Sequence, residues 1–207
     1  MVRPRLGPGQ GGIALREQFL RRFRRQAVEN RSLRLGQPLA CHHSCVVSAR
    51  YNIGVPLVIR DFKAEDFEPL WRMDQECFPP GIAYSRQELK SYLRQKGSFA
   101  LVANDENDGK IAGFIVATGG LSGHIITIDV LPTARRAGVG STLLRAAEAR
   151  LLSSGSLAVG LETAVDNISA LSFYKRHGYH VIRTWPRYYS NGVDALVLKK
   201  DLKQPPH

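Results

Sequence analysis

Three features of the sequence predict an α/β domain. A run rich in β-branched residues, 125–131, is followed by glycines and then by apolar residues at every fourth position from Val139 to Leu151, the order of a strand and an amphipathic helix. Two apolar runs on either side of Asn107-Asp108-Gly109 predict a β-hairpin. The 43% hydrophobic content of the 207 residues suffices for one core of ordinary size.

The other elements follow from local signals along the chain. We expect a strand at 57–60, a helix at 64–77 and a break at Pro79-Pro80-Gly81. Ser85 and Glu88 form a capping box for a second helix that reaches about residue 96. The remaining expectations are hairpin strands at 99–103 and 111–118, a strand at 157–162, a helix at 167–177, and strands around 179–189 and 193–199.

Positive charge is concentrated at the front of the chain. Of the net charge of +11, residues 1–50 contribute +8, from ten Arg, no Lys and two Glu, and residues 51–207 contribute +3. A nearly balanced domain argues against a nucleic-acid groove across its body, whereas the front could contact any polyanion. No uninterrupted apolar run is long enough to cross a bilayer, so we expect a cytoplasmic protein without a membrane partner.

Residues 1–55 form an Arg-rich extension that we expect to be disordered or partly helical. Gly and Pro are frequent near its start, and Leu15, Phe19, Phe23 and Ala27 recur at a helical spacing with Arg on the other side. Three interpretations stay open: an arm that binds RNA, the ribosome or an acidic surface; an organellar transit-like segment; and translated upstream sequence without a selected role.

Cys41-His42-His43-Ser44-Cys45 offers four side chains of the kind that bind zinc. Adjacent histidines point apart, and no second cluster follows at zinc-finger spacing, so we expect no metal site. With Cys77 the cysteine count is odd, and nothing indicates an oxidising compartment.

The segment Arg135-Arg136-Ala137-Gly138-Val139-Gly140 has the properties of a pyrophosphate-binding turn. Glycines let a ligand approach the backbone closely, and the first N–H groups of the following helix have no partner within that helix. These donors lie at the positive end of the helix dipole, which favours an anion. The spacing is neither that of a P-loop nor that of the three-glycine dinucleotide fingerprint.

A second motif follows at residues 161–179. Leu161-Glu162-Thr163 closes a strand, Asn167 opens a helix, and Tyr174 and His177-Gly178-Tyr179 close that helix. Together the two motifs resemble the GCN5-related N-acetyltransferase (GNAT) superfamily. With Tyr188-Tyr189 and residues 194–198, the resemblance is closest to the RimI-type branch, which acetylates the N-terminal alanine of ribosomal protein S18, and it covers roughly residues 57–202.

The resemblance implies a GNAT acetyltransferase domain at 56–203, followed by a short tail at 204–207. In that fold a mixed, mostly antiparallel central sheet is flanked by helices, and its two central strands splay apart to admit the pantetheine arm of acetyl-CoA, the co-substrate. The implied cofactor-binding residues are Ile128, Val130, Arg135, Arg136, Ala137, Gly138, Val139, Gly140, Ser141, Asn167 and Tyr174.

Two residues match the family's catalytic positions. An amine attacks a thioester only when it is neutral, and Glu162 matches the base; a glutamate that faces solvent at a strand end is the alternative. Tyr174, twelve residues later, matches the tyrosine that protonates the departing thiolate; an aromatic that packs its helix onto the sheet is the alternative. Asn167 would cap its helix in either case, and a backbone N–H between Ile128 and Val130 is expected to bind the oxyanion.

The acceptor side is less constrained by the sequence. Tyr188 and Tyr189 match tyrosines that line the peptide groove in the RimI branch, and ordinary strand aromatics are the alternative. Where the branch has Phe-Pro-Trp-Ser, residues 78–85 of this chain form a longer run without Trp. That loop helps to shape the acceptor entrance in the family.

We therefore expect direct transfer of acetyl from acetyl-CoA to the α-amino group of a protein or peptide, with an S18-like N-terminus as one acceptor. A small amine or a lysine side chain is the alternative within the enzyme class. An acetyl-CoA sensor held on the ribosome or RNA by the front segment is the alternative outside it. Cys77 lies outside both motifs, so no covalent acetyl-enzyme is expected, and the sequence does not indicate the oligomeric state.

Overall fold

One seven-stranded sheet with helices on both faces makes up the described part of the chain, residues 57–80, 82–189 and 191–202 of a computed structural model. The predicted N-terminal extension, the Cys41 to Cys45 group and the tail at 204–207 lie outside these residues. The strands are β1 (Leu57–Asp61), β2 (Ser98–Asp105), β3 (Ile111–Thr118), β4 (Ser122–Val130), β5 (Ala158–Ala164), β6 (His180–Trp185) and β7 (Ala195–Asp201); the helices are α1 (Phe67–Cys77), α2 (Arg86–Arg94), α3 (Val139–Ser153) and α4 (Ile168–Arg176).

The two central strands of the sheet separate. The strand order is β1-β2-β3-β4-β5-β7-β6, and every neighbouring pair is antiparallel except β4 and β5. These two pair only from Ser122 to His124 and from Ala158 to Gly160. Beyond that point they share no hydrogen-bond ladder, so the sheet opens toward their C-terminal ends. The predicted mixed, mostly antiparallel sheet is confirmed.

Helices α3 and α4 cover one face of the sheet, and α1 and α2 cover the other. The predicted apolar stripe of α3 is buried on the first face, with Leu143 and Leu151 fully inaccessible. A Cβ on Gly123 of β4 would lie 2.8 Å from the Leu151 side chain, so this glycine lets α3 approach the strand closely. On the second face Leu70 and Leu89 are fully buried, each worth about 1.5–3 kcal/mol of transfer free energy.

The ends of the elements follow their predicted signals in most places. The capping box is present, since Ser85 Oγ accepts from the Glu88 N–H at 3.2 Å and the Ser85 N–H donates to Glu88 Oε2 at 2.9 Å. Helix α2 ends at Arg94, slightly before the predicted end, and Gly97 follows with a φ of 84°.

The predicted strand around 179–189 is too long. Strand β6 ends at Trp185, because Pro186 has no N–H for the ladder and Arg187 adopts a left-handed φ of 49°. Tyr188 and Tyr189 therefore lie in the β6–β7 loop, and the alternative that they are strand aromatics is wrong.

Candidate active site

The turn before α3 holds two residues in the left-handed backbone region. Arg136 has a φ of 65° and Gly138 a φ of 81°, and the helix begins at the next residue, Val139. Gly138 carries no side chain that could cap the helix, so the first N–H groups of α3 are left for a ligand. The predicted phosphate-binding residues 135–141 thus lie together at a helix N-terminus, next to the end of β4 where the sheet is open.

The backbone groups of Ile128 and Val130 point into this opening. The Leu131 N–H donates to the Ala112 carbonyl of β3 at 3.0 Å, and backbone groups of alternate residues point to opposite edges of a strand. The Val130 carbonyl accepts from Arg135 Nε at 3.2 Å, whereas Ile128 has no ladder partner on β5. Of the predicted range 128–130, the amides of Ile128 and Val130 point to the open edge of β4, whereas the amide of Asp129 points to β3.

Glu162 lies where β4 and β5 separate and contacts a histidine that the motif reasoning missed. Its Oε2 is 3.1 Å from His124 Nε2, and only 8% and 9% of the two side chains are exposed. Glu162 Oε1 is buried without a hydrogen-bond partner among the described residues. The alternative that Glu162 faces solvent is therefore wrong. Buried polar atoms are normally satisfied, so the lone oxygen indicates a place for water or a ligand.

The sequence holds one signal for His124. It directly precedes the predicted 125–131 strand, and β4 in fact begins earlier, at Ser122. A histidine within a buried strand has a polar ring that needs a partner. Its pairing with a carboxylate 38 residues away depends on the parallel register of His124 with Gly160, which the sequence does not show.

Tyr174 is buried at 6% exposure on α4. Its ring makes edge contacts with Phe173 at 5.2 Å and Tyr179 at 5.5 Å between centroids, and it belongs to the apolar core between α3, α4 and the sheet, so it does pack its helix onto the sheet. Burial raises the pKa of its hydroxyl well above the usual value, and the nearby Asp129 and Tyr189 add to this shift. Tyr174 therefore stays protonated at neutral pH, the state that a proton donor requires.

Asn167 caps α4, as expected of any asparagine at that position. Its Oδ1 accepts from the Ala170 N–H at 3.1 Å. The cap leaves the side-chain NH₂ group as the part of Asn167 that could donate to a ligand.

The β6–β7 loop brings Tyr188 and Tyr189 toward the open end of the sheet. Their rings meet edge to face at 5.1 Å, and the loop is held by the Arg187 N–H, which donates to Asp194 Oδ1 at 2.7 Å. The carbonyl of the same Asp194 accepts from Val165, just past β5, at 3.0 Å. The loop is thereby tied to the end of the strand that carries Glu162.

A buried carboxyl, Asp129, lies on β4 beyond the segment that pairs with β5, where the strand still pairs with β3. It is 1% exposed, and Thr127 Oγ1 donates to its Oδ1 at 2.6 Å. Burial raises its pKa well above the usual value, and Asp74 of α1 adds to the shift. The sequence places Asp129 in an apolar strand without showing that its side chain is fully enclosed.

Cys77 at the end of α1 is a weak nucleophile. Its Sγ–H donates to the Val130 carbonyl at 3.4 Å. Burial raises the pKa of the thiol, and the neighbouring Asp129 adds to the shift, so the reactive thiolate is disfavoured. The thiol environment argues against an acetyl-cysteine intermediate.

The described residues show neither a metal-binding cluster nor a membrane-spanning helix. In the described part of the chain, no three His, Cys, Asp or Glu side chains are grouped so that they could hold a metal ion. Among the same residues, no helix combines the length and apolarity that a membrane crossing needs.

The family is shown by a match that spans more than half of the chain. The model of the acetyltransferase (GNAT) family matches residues 67–179. This chain belongs to the GNAT acetyltransferase family. It is an acetyl-CoA-dependent acetyltransferase, as its fold and site geometry also allow.

Several relatives resemble the chain over most of their own length. An N-alpha-acetyltransferase of Sulfurisphaera tokodaii is 27% identical over 158 residues, 70% of this chain and 92% of the relative. N-alpha-acetyltransferase 30 of Schizosaccharomyces pombe is 34% identical over 118 residues, 55% of this chain and 78% of the relative.

Solved structures show the same fold. The structure of Ard1 from Thermoplasma volcanium has a TM-score of 0.66 and 27% identity, and the match covers 72% of this chain and 99% of that one. The ribosomal-protein-S18-alanine N-acetyltransferase from Escherichia coli has a TM-score of 0.63 over 73% of this chain and 97% of its own, with 20% identity, a likeness of fold alone.

Proposed function

We propose that this enzyme transfers acetyl from acetyl-CoA to the α-amino group of a protein or peptide N-terminus. The observation that carries the proposal is the buried His124–Glu162 pair at the point where β4 and β5 separate, with Glu162 Oε1 left without a partner among the described residues. The relatives named N-alpha-acetyltransferase support the α-amino group as acceptor.

The proposed position of acetyl-CoA follows from the donors around the opening. The N–H groups of residues 136–141 bind the pyrophosphate, and Arg135 and Arg136 add positive charge. The pantetheine arm runs along the open edge of β4 at Ile128 and Val130 and meets the Asn167 amide. The Ile128 N–H then points at the thioester carbonyl and stabilises the oxyanion that forms there.

The proposed chemistry is direct transfer. Glu162 Oε1 takes a proton from the acceptor ammonium, directly or through one water, while His124 holds the other carboxylate oxygen. The neutral nitrogen attacks the thioester carbon, the C–S bond breaks as Tyr174 gives its proton to the departing thiolate, and the nitrogen loses its second proton to water as the amide forms. Solvent returns a proton to Tyr174, and Glu162 releases the one that it took.

The acceptor pocket is proposed to lie between the α1–α2 loop and the β6–β7 loop. Tyr188 and Tyr189 line it on one side, and residues 78–80 and 82–85 line it on the other. The RimI-type preference for an S18-like N-terminus is one version of this proposal. The longer 78–85 loop favours testing other N-terminal sequences beside it.

Three further assignments belong to the same proposal. Residues 56–203 form the acetyltransferase domain, with residues 1–55 as a separate extension and 204–207 as a tail. The reaction takes place in the cytoplasm. The extension, with ten Arg in its first fifty residues, contacts ribosomal RNA or another polyanion.

The experiment is release of coenzyme A by the full chain with a panel of acceptors. The panel contains free-N-terminal peptides, including an S18-like N-terminus, the same peptides with blocked N-termini and an internal lysine, and small amines. We expect turnover on free α-amino peptides and none on their blocked forms. Turnover only on lysines or small amines would reject the α-amino acceptor, and tight acetyl-CoA binding without any turnover would favour the sensor alternative.

A further inference from the structure

The end of α4 contacts the first turn of α3 through a pair of side chains. Ser141 Oγ lies 2.9 Å from His177 Nε2, a hydrogen bond between the third residue of α3 and the C-cap of α4. The His177 ring contacts Phe173 at 4.7 Å between centroids, and a Cβ on Gly140 would lie 3.6 Å from the same Phe173 ring. The two helices therefore meet at the turn where the pyrophosphate is proposed to bind.

This hydrogen bond has two arrangements with different consequences for an anion. If His177 Nε2 carries no proton, it accepts from the Ser141 hydroxyl, and the serine then has no hydrogen left for a phosphate oxygen. If Nε2 carries a proton, it donates to Ser141 Oγ, and the serine hydroxyl is free to donate outward. Only the second arrangement adds a donor to the phosphate site.

The charges around His177 favour its neutral form in the free protein. Burial, first of all, lowers its pKa below the usual value, and nearby cations lower it further while one carboxylate opposes them. The charged neighbours are Arg145 and Glu148 of α3, Lys200 of β7 and Arg176 of α4 itself. Near neutral pH the imidazole is therefore uncharged, and both arrangements of the hydrogen bond are open to it.

We propose that His177 is a positioning residue of the acetyl-CoA site, which orients the Ser141 hydroxyl toward the pyrophosphate and adds a positive charge behind it at mildly acidic pH. The inference rests on the proposed position of the cofactor. It concerns donor binding alone, so it does not depend on which acceptor the enzyme uses.

The coupling between pyrophosphate binding and protonation of His177 determines how the affinity changes with pH. A bound pyrophosphate favours the forms of His177 that carry a proton on Nε2, and among them the cation most, so binding raises the pKa of His177. The bound state then holds more protons than the free state between the two pKa values. Affinity therefore rises as the pH falls through the pKa of the complex and stops rising below the pKa of the free protein.

The test uses the full chain with two probes, dephospho-coenzyme A, which carries the pyrophosphate but no 3′-phosphate, and pantetheine, which carries neither. Binding is measured by calorimetry at about pH 5.5 and pH 8, the range in which a histidine titrates. We expect dephospho-coenzyme A to bind more tightly at the lower pH and pantetheine to show no such change. NMR should show the His177 pKa rising when dephospho-coenzyme A binds.

Three variants separate a positioning role from simple packing. His177→Leu should weaken dephospho-coenzyme A binding roughly threefold to tenfold, the value of one hydrogen bond, and remove the pH dependence. His177→Gln keeps a donor without a titrating charge, so it should retain much of the affinity and lose the pH dependence. His180→Leu, a change at an exposed histidine on β6, is the matched control and should alter neither.

Two results would overturn the inference in distinguishable ways. If dephospho-coenzyme A binds no more tightly than pantetheine, the proposed position of the pyrophosphate is wrong, and the role of His177 with it. If the pyrophosphate strengthens binding but His177→Leu and His177→Gln keep the affinity and pH dependence of the unmodified protein, only the role of His177 is rejected.

Discussion

At the scale of single residues, the environment of each side chain decides which proton it can carry or take. Glu162 has one oxygen held by His124 at 3.1 Å and the other buried without a partner among the described residues, which suits a group that accepts a proton from a ligand. Tyr174 is buried and keeps its proton because its pKa is raised. The two residues thus have complementary roles in the proposed transfer.

Glu162→Gln should remove the base while preserving the shape of the side chain. We expect kcat to fall about a hundredfold to ten-thousandfold, the usual range for general base catalysis, because the amide cannot take the proton. Calorimetry should show unchanged acetyl-CoA affinity. Glu76→Gln, at an exposed glutamate of α1, is the control. Equal turnover by Glu162→Gln and the unmodified enzyme would contradict the assignment.

Tyr174→Phe should reduce turnover without destabilising the protein. Its hydroxyl makes no hydrogen bond within the described residues, so we expect little change in the free energy of unfolding and about a hundredfold loss of kcat. Tyr179→Phe should show the reverse. That hydroxyl donates to Glu148 at 2.9 Å, so its loss should cost about 1–2 kcal/mol of stability and leave kcat unchanged. Urea unfolding and coenzyme A release measure the two effects; unchanged turnover in Tyr174→Phe would mean that the role of Tyr174 is packing, because the Phe ring keeps those contacts.

At the scale of the elements, the separation of β4 and β5 creates the site. The pair shares a ladder for three residues on each strand, and β4 then continues to Val130 paired with β3 alone, before the turn and α3. Unpaired strand edges present free N–H and C=O groups, which are usually covered or occupied. An extended arm such as pantetheine can pair with that edge as a further strand would.

The two ends of α3 offer a matched comparison of glycines. Gly138 precedes the helix with a φ of 81°, and Gly155 follows it with a φ of 86°. Alanine at either position should cost about 1–2 kcal/mol of unfolding free energy, because a left-handed residue with a Cβ is strained. Only Gly138→Ala should also weaken acetyl-CoA binding, as measured by calorimetry. Equal affinity in both variants would place the pyrophosphate elsewhere.

At the scale of the whole molecule, buried carboxyl groups make stability depend on pH. Asp129 has a raised pKa in the folded protein and an ordinary value of 3.8 when it is exposed by unfolding. The folded state therefore holds more protons between these two values. The stabilisation is complete below the lower value and is lost as the pH rises through the higher one.

Asp129→Asn should make the free energy of unfolding depend less on pH. The amide has no charge to bury, so we expect the variant to lose less unfolding free energy than the unmodified protein as the pH rises above 3.8, where the carboxyl exposed by unfolding ionises. Urea unfolding at several pH values provides the measurement. Parallel profiles for the two proteins would show that Asp129 does not titrate in this range.

The proposed domain boundary is also testable at this scale. Deletion of residues 1–55 should leave coenzyme A release and acetyl-CoA affinity intact, because every proposed site residue lies between positions 78 and 189. Binding of RNA by the full chain, if the extension supplies it, should weaken steeply with salt. Loss of turnover on deletion would favour the interpretation in which the extension is part of the working protein.

The sequence by itself determined the features that depend on neighbours along the chain. The capping box at Ser85, the apolar stripe of α3 and the glycine turn before it involve residues only a few positions apart, so local pattern and backbone preference suffice to predict them. The two family motifs, at 135–140 and 161–179, are likewise short stretches of consecutive sequence. Together they predicted the fold, the family and the donor of the acetyl group.

Only the tertiary structure decided which distant groups meet. The contact between His124 and Glu162 depends on the register of β4 with β5, and the burial of Asp129 depends on α1 lying over β4. Strand β6 ends at Trp185, so Tyr188 and Tyr189 lie in a loop and not in the predicted strand. A sequence pattern shows which residues share one face of a helix or strand. Sheet register and helix packing determine which faces of different elements meet. The proposed catalytic site lies between faces of this kind, so the sequence alone could not assemble it.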